Sequence, residues 1–201
     1  MKFVTVILLA LGMSQLFAHG VGLSSYPLEL QKNMFSTEIT GITSNGGGIG
    51  LQGRFSRKIN EYTVLDAGFG ISGGERNSRF FVAADYEIFP DHLKQPKFSL
   101  RTSLENAKEF GTRRNIIGIA PKLSKGFSFW GHEAFPYLAM PMSINLDGDN
   151  KQYESQLGMN VGITGNLPFE GYRKILGVLE TTVGVKDSYT AFFAGVSFPL
   201  N

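Results

Sequence analysis

Residues 63–71 (TVLDAGFGI) and 79–88 (RFFVAADYEI) decide the fold. Thr63, Leu65, Ala67, Phe69 and Ile71 fall on one face of an extended chain, with Val64, Asp66, Gly68 and Gly70 on the other. In the second stretch Phe80, Val82, Ala84, Tyr86 and Ile88 alternate with Arg79, Phe81, Ala83, Asp85 and Glu87. A period of two is the signature of a strand, because successive Cβ atoms point to opposite faces of a sheet. Ser72-Gly73-Gly74 between the two runs tolerates positive φ and reads as a tight turn.

The same alternation runs outward in both directions. Phe98, Leu100, Thr102 and Leu104 oppose Ser99, Arg101, Ser103 and Glu105, and Met159, Val161 and Ile163 oppose Asn160 and Thr164. Leu179, Val183 and Val185 oppose Glu180, Thr182 and Lys186. Turn chemistry recurs at Ser44-Asn45-Gly46, Asp147-Gly148-Asp149 and Lys186-Asp187-Ser188. Strand after strand gives an all-β meander of about ten antiparallel strands, with eight as the alternative because residues 35–41 make a marginal strand. Residues 26–34 could supply one or two helical turns.

Which face is apolar separates a soluble barrel from a membrane barrel. Strands of about 10 to 13 residues match a tilted crossing of a bilayer and exceed the usual length of about 5 to 6 in soluble sheets. The polar face carries both signs of charge in mid-strand: Glu38, Arg54, Asp66, Arg79, Asp85, Glu87, Arg101, Glu105, Glu154 and Glu180. These residues read as a narrow lumen closed by paired charges. Phe55, Tyr62, Phe89, Phe98, Phe129, Trp130, Phe135, Phe169, Tyr172 and Phe198 crowd the strand ends, as an interfacial aromatic girdle would.

The leader is equally legible. Lys2 precedes an apolar run at residues 3–11 (FVTVILLAL), and Ala18-His19-Gly20 offers a small-x-small cleavage site. About ten apolar residues fall well short of the ~20 that span a bilayer as a helix. The expected organisation is therefore a signal peptide over 1–20, an N-terminal segment over 21–34 and a barrel over 35–201.

The final strand, residues 189–198 (YTAFFAGVSF), alternates Thr190, Phe192, Ala194, Val196 and Phe198 on one face and stops three residues from the chain end. It resembles the C-terminal signal strand of bacterial outer-membrane proteins, although Pro199-Leu200-Asn201 follow the aromatic. Leader, meander and ending together resemble the small outer-membrane β-barrel superfamily that includes OmpA-like, OmpX-like and OmpW-like proteins. That resemblance implies an up-and-down transmembrane barrel in the outer membrane of a Gram-negative bacterium. Its partners would be outer-membrane lipid and the barrel-assembly machinery, the latter through the last strand.

Composition excludes several chemistries. The 201 residues include no cysteine, which removes disulfides, thiolate metal sites and a thiol nucleophile. The net charge of +2 gives no argument for nucleic acid. Gly48-Ile49-Gly50-Leu51-Gln52-Gly53 matches a dinucleotide pattern, but Ile49, Leu51 and Phe55 alternate as a strand where that pattern needs a helix. His19, His92 and His132 are far apart, so neither a metal nor another cofactor is expected. His132 beside Glu133, near Ser124 and Ser128, is the one arrangement that could serve a lipid-modifying enzyme or protease barrel. The expectation is a non-enzymatic barrel with an envelope role or porin-like passage of a small solute, its lumen plugged or very narrow. A soluble periplasmic lipocalin-like barrel is the third alternative.

Overall fold

The computed structural model describes residues 22–44, 47–73, 75–129, 132–147, 152–169, 171 and 174–200. The expected signal peptide therefore lies outside the described residues. Among the described residues twelve strands form one sheet: β1 (Asn33–Ile42), β2 (Gly48–Lys58), β3 (Thr63–Ser72), β4 (Arg76–Phe89), β5 (Lys97–Glu109), β6 (Thr112–Ser124), β7 (Phe127–Phe129), β8 (His132–Ala139), β9 (Met142–Asp147), β10 (Gln152–Asn166), β11 (Leu176–Lys186) and β12 (Ala191–Leu200).

These twelve make ten staves. β8 and β9 are halves of one stave, since both pair β6 on one side and β10 on the other in an unbroken register. The break falls at Met140-Pro141, where proline has no N–H to give the ladder. Even there the edges stay bonded: Met140 N–H donates to the Pro121 carbonyl (3.0 Å) and Gly158 N–H to the Pro141 carbonyl (2.9 Å). β7 is a three-residue extension on β8.

β1 closes the ring by pairing β12 along its whole length, Asn33 with Leu200 through Ile42 with Ala191. The N-terminal strand that looked marginal in sequence is thus a full stave, and the count is ten rather than eight. Closure removes every unpaired edge, which hydrocarbon would penalise at several kcal/mol per orphaned backbone group. The even count brings both chain ends to the same end of the barrel, called the terminal end below. The other, far end carries the short connections. One of these is a two-residue turn at Phe110-Gly111, both at positive φ (51° and 79°), as a type I′ hairpin requires.

The residue distribution is inside-out relative to a soluble protein. Ile39, Leu51, Phe69, Ile71, Phe80, Leu104, Ile117, Val161, Leu179 and Phe192 stand on the outer surface. Ser36, Glu38, Thr40, Gln52, Arg54, Asp66, Arg79, Arg101, Asn160 and Glu180 are buried within. Such an outer face would aggregate in water but matches lipid, so the fold is a single closed transmembrane barrel. Strands of 13 to 15 residues (β5, β6 and β10) reach on the order of 40 Å, enough to cross the hydrocarbon at a tilt.

Inside, large side chains lie over glycines on the neighbouring stave. Phe81 faces Gly68, Tyr137 faces Gly162 and Glu38 faces Gly195, each as a register pair. A Cβ on Gly68 would strike the fully buried Phe81 ring and approach the Gly53 carbonyl to 2.8 Å. Gly68→Ala should therefore destabilise the barrel by about 1–3 kcal/mol, as overpacking does. Urea titration in detergent micelles reads this directly, and a midpoint equal to that of the parent would refute the packing argument.

Candidate functional site: the barrel lumen

The lumen is built from ion pairs between inward side chains. Arg54 on β2 pairs with Glu38 on β1, and Gln52 Nε2 donates to the same carboxylate at 2.8 Å. Arg101 pairs with Asp66, and Lys122 with Asp85. Arg79 bridges Glu105 (3.2 Å) and Glu109 (2.8 Å), and Arg76 joins Glu109 at 2.5 Å. Glu87 meets Lys97 at 2.9 Å nearer the terminal end. Buried ions demand such partners, because removing one member leaves an uncompensated charge in a poorly solvated space.

Glu180 on β11 differs. Among the described residues it has no cation within ion-pair distance, and it accepts instead from neutral donors. These are Leu23 N–H (2.8 Å), Asn160 Nδ2 (2.8 Å), Thr182 Oγ1 (3.4 Å) and the Tyr137 hydroxyl.

The Leu23 contact belongs to a feature the periodicity did not announce. Residues 22–28 turn back into the lumen from the terminal end and run inside it without strand pairing. Their backbone groups are satisfied by wall side chains. Arg54 Nη1 donates to the Gly22 carbonyl (2.5 Å), Tyr137 to the Leu23 carbonyl (3.1 Å) and Lys122 Nζ to the Ser24 carbonyl (2.7 Å). Ser25 Oγ donates to the Phe135 carbonyl. Apolar anchors complete the plug: Leu23 packs with Tyr137 and Ala139, and Leu28 with Met34 and Leu176. Tyr26 meets Phe135 edge-on at 5.7 Å. At the mouth the segment is tied to β2, Gln31 N–H donating to the Lys58 carbonyl and Lys58 N–H to that of Lys32 (3.1 and 3.3 Å).

Small cavities lie beside the plug. A cavity of about 90 Å³ lies between Leu23, Arg79, Arg101 and Tyr189, and one of about 30 Å³ lies near Tyr26, Asp85 and Lys122. Those volumes suit a few waters. A far larger concavity of about 1240 Å³ spans the outer wall, where Ile39, Leu51, Phe69, Ile163 and Leu179 line it. Its lining is mostly apolar and outward, although Glu38 and Gln52 of the lumen network also border it.

Glu154 lies on the inward face opposite the buried Asn145, but at the far rim, where its side chain is 53% exposed and pairs with Arg114 at 2.9 Å. β10 is long enough to carry that end beyond the packed interior. The aromatic list needs one correction. Phe135 belongs to the lumen mouth rather than the girdle, because it shares Tyr137's side of β8 and finds Tyr26 there.

Phe198, Phe35 and Phe55 form a continuous outer row across β12, β1 and β2 at the terminal end. Tyr62 lies near Tyr86 and Phe89 near Phe98, at 6.4 and 6.3 Å, and Phe169 is exposed. Trp130 and Tyr172 lie outside the described residues, and Phe129 ends β7. Missed in sequence were Lys122, Arg76, Glu109 and Tyr137. Lys122 was recoverable from its alternation with Ala120 and Ser124 on the inward side of β6.

The alternative catalytic arrangement does not assemble. His132 sits opposite Phe129, and Ser128 opposite Glu133; no hydrogen bond joins His132 to Ser124 or Ser128 among the described residues. Those residues also include no cluster of three or more potential metal ligands. In the connection between β4 and β5, slight desolvation would raise the Asp91 carboxyl. Hydrogen bonds from Lys125 and the Gly126 N–H, with the attraction of Lys125 and Lys97, outweigh that and hold it below the usual carboxylate range.

No family model and no curated protein matches the chain. Among solved structures, it is similar to a chain from work on the de novo design of transmembrane β-barrels, at 11% identity and a TM-score of 0.43, covering 87% of this chain and 100% of that one. It is also similar to the KdgM porin, at 11% identity and a TM-score of 0.40, covering 85% of this chain and 99% of the porin.

Proposed function

We propose that the protein is a non-enzymatic outer-membrane barrel of the OmpA-, OmpX- and OmpW-like kind, closed at rest by its own N-terminal segment. Its primary role is structural, in the envelope, and passage of small solutes requires that segment to leave the lumen. The observation that carries this reading is the binding of residues 22–28 by side chains of β2, β6, β8 and β11. A passive structural barrel would need no dedicated strap if its side chains alone filled the bore. In this reading residues 1–20 export the chain, and the strand ending near Phe198 is presented to the barrel-assembly machinery.

Cell fractionation with heat-modifiable gel migration tests the placement. The expected result is recovery with outer membranes and a faster-migrating unheated band, since a closed barrel resists detergent until heated. Recovery in a detergent-free periplasmic extract would instead favour the lipocalin-like alternative. His132→Ala is expected to leave lipid profiles and proteolysis unchanged, and a change in either would revive the enzymatic alternative.

A further inference from the structure

The β5–β6 hairpin carries an unusual set of side chains on its outer face at the far end. Lys108 and Arg113 are register partners, as are Asn106 and Asn115, then Leu104 and Ile117. All six alternate with the inward residues Ala107, Ile116 and Gly118, so they face away from the lumen. Leu104 and Ile117 stand fully in the apolar band, and Phe80 and Leu146 flank the two amides on the neighbouring staves. Lys108 and Arg113 therefore sit just past the edge of the lipid-facing surface, at the height where headgroups begin.

Two cations directly opposite one another across a strand pair repel and cost stability. Elsewhere on the wall this chain answers each buried cation with a carboxylate, and it pairs even the rim residue Arg114 with Glu154. Lys108 and Arg113 have no carboxylate partner among the described residues. The amides below them are ordered: Asn106 Nδ2 donates to Asn115 Oδ1 at 2.8 Å, and Arg113 Nη1 donates to Asn106 Oδ1 at 2.6 Å. The guanidinium is thereby held over the amide pair, and among the described residues its other N–H groups and the Lys108 ammonium have no hydrogen-bond or carboxylate partner. That is a set of donors waiting for an oxyanion of tetrahedral, multi-oxygen geometry.

We propose that Lys108 and Arg113, supported by Asn106 and Asn115, bind a phosphate group on the headgroup of an outer-leaflet glycolipid. The proposal rests on the outer-membrane reading above, with the terminal end of the barrel taken to face the periplasm, which puts this hairpin at the external leaflet. The adjacent Leu104, Ile117, Phe80 and Leu146 favour a lipid source over free phosphate, because a headgroup held there lays its acyl chains along them.

Native mass spectrometry of the full-length protein in detergent tests the site, with three probes: a bisphosphorylated acyl-glucosamine lipid, its dephosphorylated form and inorganic phosphate. The parent protein is expected to retain the phosphorylated lipid and to release the dephosphorylated one. Inorganic phosphate at millimolar concentration is expected not to displace it. The Lys108→Gln/Arg113→Gln double variant should bind about tenfold more weakly or worse. Lys108→Arg, which keeps the charge, should bind as the parent does, and so should Arg57→Gln, at the terminal end. Equal retention by the double variant, equal retention of the dephosphorylated lipid, displacement by inorganic phosphate or an equal loss in Arg57→Gln would each overturn the proposal. Heat-modifiable migration of every variant separates this outcome from failure of the barrel reading itself.

Discussion

A chain in which residues 22–32 are deleted, with the leader joined directly to Asn33, is expected to form stable open channels in planar bilayers where the intact protein stays closed. The deletion removes no stave, since β1 begins at Asn33 and pairs β2 and β12 through backbone groups the segment does not supply. It does remove Leu23, Ser25 and Leu28 from the interior, where all three are buried. The wall groups left behind are Arg54, Lys122, Tyr137 and Glu180, polar side chains that water can solvate once it enters. Eight strands leave a bore that side chains can fill, and ten leave one slightly wider. An order of magnitude or more in time-averaged conductance is the expected gain, because a bore holding a few waters becomes a continuous wet path. Tyr137→Phe should fall between, losing one hydrogen bond to the Leu23 carbonyl and one to Glu180 while keeping the ring over Gly162. A deleted chain that folds and remains electrically silent would mean that the lumen charges alone close the barrel, and the plug reading would fall.

The contrast between staves and plug explains what could be read in sequence. A stave declares itself because lipid outside and polar groups inside force every second residue apolar, as in residues 63–71. Asp66 and Arg101 announced themselves in the same way, as charges at inward positions, though the pairing partner of each depended on reach across neighbouring staves. Lys122 was equally readable and was passed over, its alternation with Ala120 and Ser124 lying beside Pro121. The plug obeys no period. Its backbone is satisfied by side chains from distant strands, such as Glu180 for Leu23, and separations of that kind leave no local mark. Phe135 shows the same limit from the other direction. An aromatic near a strand end reads as interfacial until Tyr26 is found inside the barrel to meet it. The break at Met140-Pro141 likewise divides one stave into two strands while its register continues, so stave number follows from pairing rather than from counting runs.

Replacing Arg54 by Met is expected to cost about 3–5 kcal/mol in urea titrations of the refolded barrel, the usual penalty for stripping one partner from a buried ion pair. Neither member of the Arg54–Glu38 pair is more than 1% exposed, so bulk water cannot take over the abandoned charge without reorganising the interior. After the substitution Glu38 keeps, among the described residues, only the Gln52 amide as a donor, and the Gly22 carbonyl loses its guanidinium. The Glu38→Leu/Arg54→Met double variant should recover a large part of the loss, because two apolar side chains of similar size leave no orphaned ion. Gly195 opposite Glu38 leaves room for the aliphatic stem of a leucine as it does for that of the glutamate. The cycle thus separates pairing from packing: strict additivity of the two single effects would deny coupling, and an unchanged midpoint for Arg54→Met would deny burial. Position gives the pair a second consequence. Glu38 and Arg54 stand on the first hairpin, β1–β2, while Gly195 belongs to the last stave. Closure of β12 against β1 therefore seals an ion pair that the first two strands can already form in a wet, open sheet. Arg54→Met should accordingly slow the appearance of the heat-modifiable band during refolding as well as lower the stability of the finished barrel, because a lone Glu38 must be desolvated when the ring closes.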